Sequence, residues 1–170
     1  MSDGQERERP GLSGLARRVI EWWALAGGVV LLGIAVMTTW SAASGWLIGK
    51  PLPGDFELTE VFVAIAVFAF LPYCQQIDAN VTADLFTSGA GPRAIAGFRL
   101  FGALLALGVA LLLLWRTWAG LLDYRQYVET TAILKIPIWW AYVPALASLA
   151  LLVVACLIVV ADCWRGVLRG

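Results

Sequence analysis

Four long apolar segments alternate with short polar stretches along the chain. An α-helix needs roughly 20 mainly apolar residues to cross the hydrocarbon core of a bilayer, and somewhat fewer when its ends lie in the interface. All four segments are close to this length, and none contains a run of charged residues. The pattern predicts four transmembrane helices with apolar cores at Ala24–Trp40, Leu58–Cys74, Ala94–Trp115 and Ile138–Val160.

The predicted fold class is an all-α integral membrane protein formed by one membrane domain over residues 1–170. The expected membrane spans are approximately 22–43, 56–75, 93–117 and 138–162, with polar tails at 1–21 and 163–170. A signal peptide has an apolar region of roughly 7–15 residues followed by a small-residue cleavage site. The first apolar segment is longer than this and lacks a convincing site, so we expect it to persist as a transmembrane helix.

The connection between the third and fourth segments has an amphipathic pattern. Trp118–Leu134 carries apolar residues near one helical face, while Asp123, Gln126 and Thr130 lie on the opposite face. The pattern fits an amphipathic interfacial helix between the third and fourth transmembrane helices, which we include in the expected fold. An extension of the third helix beyond the membrane would give the same pattern.

Small and aromatic residues suggest how the helices pack and where they end. Ala24 and Gly28 on the first helix are spaced for close helix contact, and Gly102, Ala106 and Ala110 continue the pattern on the third. Most of the nine tryptophans, Trp22 and Trp23 among them, lie near segment ends. Tryptophan favours the membrane–water interface, so we expect these residues to be interfacial anchors rather than a ligand cage.

The distribution of Lys and Arg predicts the orientation. With four crossings, the two tails and the second connection lie on one side and carry eight of the 12 basic residues. The first and third connections carry the other four. Because cytoplasmic loops are enriched in Lys and Arg, both termini are expected in the cytoplasm.

Composition limits the possible chemistry. The chain is 61% hydrophobic, 14% charged and of zero formal net charge, so a nucleic-acid partner is not indicated. It has no histidine, its three cysteines form no CxxC pair, and it contains no nucleotide-binding or metalloprotease motif. We therefore predict a protein that is not an enzyme and has no cofactor of its own. A membrane enzyme of the disulfide-oxidising kind is disfavoured for the same reasons.

Charged residues within the apolar segments are the candidate functional residues, since a charge in lipid is costly. Asp55 is expected to cap the second helix, and Glu57 lies near its positive dipole end. Glu57 and Glu60 share a helix face, where they could meet donors of another chain or face water. Arg99 in the third helix could extend its side chain to the headgroups or bind a buried partner.

Short motifs follow one another in the stretch from Pro51 to Phe86. Gly-Asp-x-Glu-Leu begins the second helix, Leu-Pro-Tyr ends it, and Val-x-x-Asp-Leu comes after it. The residues of these motifs are Gly54, Asp55, Glu57, Leu58, Leu71, Pro72, Tyr73, Val81, Asp84 and Leu85. With Ile136-Pro137-x-Trp139 before the fourth helix, this order resembles the pattern of the DctQ-type small membrane subunit of tripartite ATP-independent periplasmic (TRAP) transporters. Asn80 departs from the family, which commonly has histidine there.

The resemblance implies a non-catalytic role in transport. In such systems a periplasmic solute-binding protein captures an organic acid or related solute, and a large multi-span membrane subunit holds the solute and sodium sites. The small subunit would be a scaffold in the bacterial inner membrane and could contribute to docking of the binding protein. The candidate contacts with the large subunit are Asp55, Glu57, Glu60, Arg99 and Asp84.

A self-sufficient four-helix, proton-coupled exporter is the alternative. Glu60 would then be the proton-binding residue. The position of Glu60 near the end of the second segment, rather than at its centre, disfavours this function. Many secondary transporters are built from internal repeats, and no such repeat is detectable in this chain.

Overall fold

The structure, a computed structural model, describes residues 12–77, 92–127 and 129–169. Side chains are described for residues 14–77, 100–127 and 129–164. Four helices account for most of these residues, and each is long and apolar enough to cross a membrane. The helices are α1 (Leu12–Ile48), α2 (Asp55–Gln76), α3 (Pro92–Tyr127) and α4 (Trp139–Arg169).

The four predicted helices are confirmed, and each extends beyond its expected span at one or both ends. The 37 residues of α1 correspond to about 55 Å of helix, well over the roughly 30 Å of a bilayer core. α1 begins within the predicted first tail, and α4 continues into the predicted last one. The division into one membrane domain with these particular spans stays a prediction.

The region between α3 and α4 differs from the expected fold. No separate amphipathic helix is present over Trp118–Leu134; α3 continues to Tyr127, and the described residues 129–138 form a non-helical loop. Nothing in Arg116–Tyr127 breaks a helix, so α3 extends along its own axis. The loop is rich in β-branched residues and contains Pro137, which disfavour helix. Thr130 and Pro137 form an isolated antiparallel bridge across this 129–138 loop.

The helices are arranged mainly as a row rather than as a closed bundle. α1 packs on α2, α2 on α4, and α4 on α3, while α1 makes a smaller contact with α4. Within the described ranges, α3 does not pack against α1 or α2. The order across the row is therefore α1, α2, α4, α3, which leaves α1 and α3 at the two edges.

Close packing of α1 on α2 depends on a glycine next to the predicted one. A Cβ atom added to Gly27 would lie 2.9 Å from the Ala69 Cβ, whereas one added to Gly28 would meet nothing within 4 Å. Ala24 is buried as the pattern suggested. The small residues that contact α2 are therefore Ala24 and Gly27. Residues three apart lie on the same helix face as well as residues four apart, so the spacing alone does not distinguish Gly27 from Gly28.

The predicted stripe on α3 differs from the structure at its first position. Gly102 is exposed and has open space around it, while Ala103 and Ala110 are buried. Ala110 alone of the predicted set is fully covered. Alanine is frequent on this helix, so several small-residue stripes coexist in the sequence and only packing distinguishes them.

Candidate functional site

The two connections at one end of the row meet in a single polar junction. We call this end the loop end; it holds the α1–α2 connection and the 129–138 loop. The opposite end, the termini end, holds the start of α1 and the end of α4. The loop-end junction is formed by Ser41, Leu52, Gly54, Asp55, Glu57, Ile133 and Leu134.

Glu57 holds the 129–138 loop through two hydrogen bonds. Its Oε1 accepts from the backbone N–H of Ile133 at 2.7 Å, and its Oε2 accepts from the N–H of Leu134 at 3.0 Å. These amides have no strand or helix to pair with, and a charged acceptor forms stronger hydrogen bonds than a neutral one. Glu57 therefore joins the first turn of α2 to the connection between α3 and α4.

Gly54 allows the same loop to pack closely on the start of α2. Its φ of 78° lies in the left-handed region, which glycine adopts without steric cost. A Cβ at this position would lie 2.5 Å from the Cγ of Leu134. Glycine is thus required both by the backbone conformation and by the side chain of Leu134.

Asp55 connects α1 with the start of α2. The hydroxyl of Ser41, which is 1% exposed, donates to the carboxylate of Asp55. The same hydroxyl accepts from the N–H of Leu52 at 3.1 Å. One buried serine therefore fixes both the α1–α2 connection and the first residue of α2.

The expectation that Asp55 is the N-cap of α2 is wrong by one residue. Gly54 holds the N-cap position and contributes no side-chain hydrogen bond, while Asp55 is the first helical residue. The second oxygen of Asp55 accepts from the N–H of Phe56 at 2.7 Å. The two carboxylate oxygens of Asp55 are thus engaged by Ser41 and Phe56. They do not accept from the N–H groups two or three residues further along the helix, which an N-cap side chain would bind.

The structure describes only part of the other three candidate contact residues, Glu60, Arg99 and Asp84. Glu60 lies one turn after Glu57 on α2 and is exposed. Arg99 lies within α3, but its side chain is outside the described part, and Asp84 is outside the described residues altogether. Of the three candidates whose side chains are described, the structure brings Asp55 and Glu57 together at the loop-end junction. Contact of any of these five residues with a second subunit stays a prediction.

A polar contact between α1 and α4 has no counterpart among the contacts expected from the sequence. The indole N–H of Trp23 donates to the hydroxyl of Ser148 at 2.9 Å, and that hydroxyl donates to the carbonyl oxygen of Pro144 at 2.8 Å. Ser148 is 1% exposed. The polar group of Trp23 is therefore directed into the protein, whereas the neighbouring Trp22 is 72% exposed. Interfacial anchoring by the tryptophans stays a prediction.

A salt bridge joins the same two helices at the termini end. The guanidinium of Arg17 lies 3.1 Å from the carboxylate of Asp162, and both side chains are about half-exposed. The sequence holds no local signal for this pair, since 145 residues separate its members.

The two edges of the row expose continuous apolar ridges. On α1 the exposed residues recur at helical spacing, with exposed fractions of 61–71% for Leu25, Val29, Leu32, Val36 and Trp40. On α3 a similar ridge runs through Phe101, Leu105, Val109, Leu112 and Trp115. In a membrane such ridges face lipid or another membrane protein.

Acidic residues and cysteines do not converge anywhere in the ranges described. Within 12–77, 92–127 and 129–169, no group of three or more of these side chains is placed to hold a metal ion. The polar groups of the loop-end junction are occupied by bonds within the chain.

Comparison with known families agrees with this architecture. Residues 34–166, which include the C-terminal part of α1, the loop-end junction and nearly all of α4, match the family described as tripartite ATP-independent periplasmic transporters, DctQ component. No match was found among the curated proteins with which the chain was compared. The chain belongs to the DctQ family and is the small membrane component of a TRAP transporter.

Proposed function

We propose that this chain is a non-catalytic scaffold in a sodium-coupled, binding-protein-dependent transporter that imports an organic acid or related solute. The match of residues 34–166 to the DctQ component carries the proposal. The proposed location is the bacterial inner membrane, with both termini in the cytoplasm. Its partners would be the large multi-span TRAP subunit, a periplasmic solute-binding protein and membrane lipids.

The scaffold role is supported by the arrangement of helices. A row of four helices offers long apolar edges, one along α1 and one along α3. Helix association in membranes relies on extended close packing, for which such ridges are suited. In this proposal the large subunit provides the solute and sodium sites, and this chain, with no cofactor of its own, enlarges the static part of the assembly.

Docking of the binding protein is supported by the loop end. Under the proposed orientation this end faces the periplasm. The 129–138 loop is held by Glu57 and Gly54 and presents exposed side chains, including Glu129, Ile133 and Lys135. A fixed loop loses less conformational entropy on binding than a mobile one, so the junction would favour docking.

The alternative function, a proton-coupled exporter that uses Glu60, is less well supported. Glu60 is exposed near the loop end of α2. A proton-coupled site usually faces a bundle interior or a water-filled cavity. A row of helices gives Glu60 no such interior among the described residues.

Reconstitution separates the two functions. Liposomes with the large subunit, the binding protein and a sodium gradient are assayed for uptake of a panel of radiolabelled mono- and dicarboxylic acids, with and without this chain. We expect uptake only in the complete system. Transport by this chain alone, abolished by Glu60→Gln, would establish the exporter, while full uptake without this chain would contradict the scaffold role.

A further inference from the structure

A polar groove lies between α3 and α4 towards the loop end, separate from the junction. Its volume is about 350 Å³, near the lower limit for small-molecule pockets. The groove is lined by Arg116, Thr117, Gly120, Asp123, Tyr124 and Tyr142.

Gly120 and two tyrosines shape the wall of the groove. A Cβ on Gly120 would lie 3.1 Å from Cε1 of Tyr142, so a larger residue would displace that ring. The rings of Tyr142 and Tyr124 pack with their centroids 5.2 Å apart. This contact spans the two helices and presents aromatic surface to the groove.

Two opposite charges flank this wall. Arg116 and Asp123 are both exposed, and neither forms a hydrogen bond or ion pair with another residue in the ranges described. They are seven residues apart on α3, which corresponds to about 10 Å along the helix axis. The groove therefore offers a cationic group, Arg116, and an anionic group, Asp123, and the anionic group lies nearer the loop end.

Two exposed tryptophans beside the groove indicate that it lies at headgroup depth. Trp115 and Trp118 bracket Arg116 and are 70% and 54% exposed. Tryptophan side chains in membrane proteins favour the headgroup level. A ligand in the groove would have its charged part at that level and its apolar part along the exposed ridge of α3.

We propose that this groove binds the headgroup of an amine-bearing zwitterionic phospholipid, phosphatidylethanolamine. Arg116 binds the phosphate, for which the guanidinium has a matching geometry. Asp123 accepts hydrogen bonds from the primary ammonium, and the face of Tyr124 adds a cation–π attraction. This inference concerns a lipid site on α3 and does not depend on the proposed transport function.

The two charges also predict selectivity among lipids. Phosphatidylglycerol has the phosphate but no ammonium, so its headgroup hydroxyls could donate to Asp123 but would leave the negative charge of the carboxylate uncompensated. Phosphatidylcholine has a methylated ammonium that cannot donate a hydrogen bond to the carboxylate. Phosphatidylethanolamine alone of these three offers a phosphate to Arg116 and a positively charged hydrogen-bond donor to Asp123.

Native mass spectrometry of the full chain in detergent tests the site. The protein is incubated with equal amounts of the three lipids, and the lipids retained are counted. We expect preferential retention of phosphatidylethanolamine. Because the groove is exposed, each charge should contribute up to about fivefold in retention. Arg116→Gln should lower retention of phosphatidylethanolamine and phosphatidylglycerol alike, and Asp123→Asn should lower only the former.

Arg125→Gln and Glu129→Gln are matched controls, since both residues are exposed near the groove but do not line it. Their lipid profiles should equal that of the wild type. Asp123→Asn preserves the shape of the side chain and gives an independent test if Arg116→Gln folds poorly. Equal retention of the three lipids by the wild type, or an unchanged profile in Asp123→Asn, would overturn the proposal.

Discussion

The carboxylate of Glu57 accepts a hydrogen bond from the backbone N–H of Leu134, which lies 77 residues further along the chain. With the second bond to Ile133, this contact joins the start of α2 to the loop between α3 and α4. A residue that sequence analysis treats as facing water or another chain thus has partners in its own chain. Predictions about Glu57 must separate its internal role from contact with another subunit.

Removal of the Glu57 carboxylate should loosen the 129–138 loop. In Glu57→Ala the amides of Ile133 and Leu134 lose their acceptor, so their hydrogen exchange should accelerate several-fold. The measurement is hydrogen–deuterium exchange of the purified chain. Glu60→Ala is the control, because Glu60 is exposed and does not bond the loop. Unchanged exchange in Glu57→Ala would mean that the loop holds its conformation without this contact.

Assembly with the large subunit should be weakened by Glu57→Ala combined with Glu60→Ala. Membrane insertion should survive, because removing two carboxylates makes α2 more apolar. The measurement is co-purification yield and solute uptake at matched expression. The single variants show which carboxylate is responsible. A lower yield in Glu57→Ala alone would mean that assembly needs the 129–138 loop in its held conformation. A lower yield in Glu60→Ala would indicate a direct contact between Glu60 and the large subunit. If the double variant co-purified with the large subunit as well as the wild type does, neither carboxylate would contribute to the interface.

Gly54→Ala should destabilise the chain more than Gly49→Ala. Both glycines have positive φ, at 78° and 69°, so alanine is strained at either by about 1–2 kcal/mol. Only at position 54 would the new Cβ also meet Leu134; at position 49 there is open space. Thermal unfolding in detergent should show the difference. Leu134→Ala should then rescue part of the Gly54→Ala defect, and the absence of any rescue would contradict this packing.

Gly27→Leu should disrupt the packing of α1 on α2. The side chain would enter the space occupied by Ala69, and overpacking of this kind typically costs about 1–3 kcal/mol. Gly28→Leu is a matched control on the next residue, where a Cβ meets open space. It should be close to neutral in thermal unfolding. Equal effects of the two substitutions would show that the helices do not approach at Gly27.

Reporter fusions test the orientation. A fusion after Gly170 should report the cytoplasm, and one within Pro51–Gly54 should report the periplasm, as the Lys and Arg distribution predicts. A cytoplasmic and a periplasmic reporter at each site control for expression. A periplasmic C-terminus would contradict the orientation and would place the loop-end junction on the cytoplasmic side.

The helices could be predicted because a membrane span is a local property of the sequence. Each is encoded by a continuous apolar run, so its type and approximate position follow without knowledge of its neighbours. Their order across the row could not be predicted, since it depends on which small residues meet. The sequence offered Gly28 and Gly102 as contacts, and the structure uses Gly27 and Ala103 instead.

Prediction of the candidate site was limited for a related reason. Asp55 and Glu57 were found from their charge and their place at a helix start. Their partners, Ser41 and the amides of the 129–138 loop, are 14 and 76 or more residues away and carry no local signal. The sequence therefore predicts a cap at Asp55, because capping is the usual role of aspartate at the start of a helix.

The row of helices has one central seam, between α2 and α4, and it is braced at both ends by contacts that cross it. Glu57 crosses at the loop end, and Arg17 reaches Asp162 at the termini end. Without these contacts, the α1–α2 pair could rotate relative to the α4–α3 pair about the contact between α2 and α4. With both ends tied, the four helices should tilt and translate together, and a force applied to one edge would reach the other.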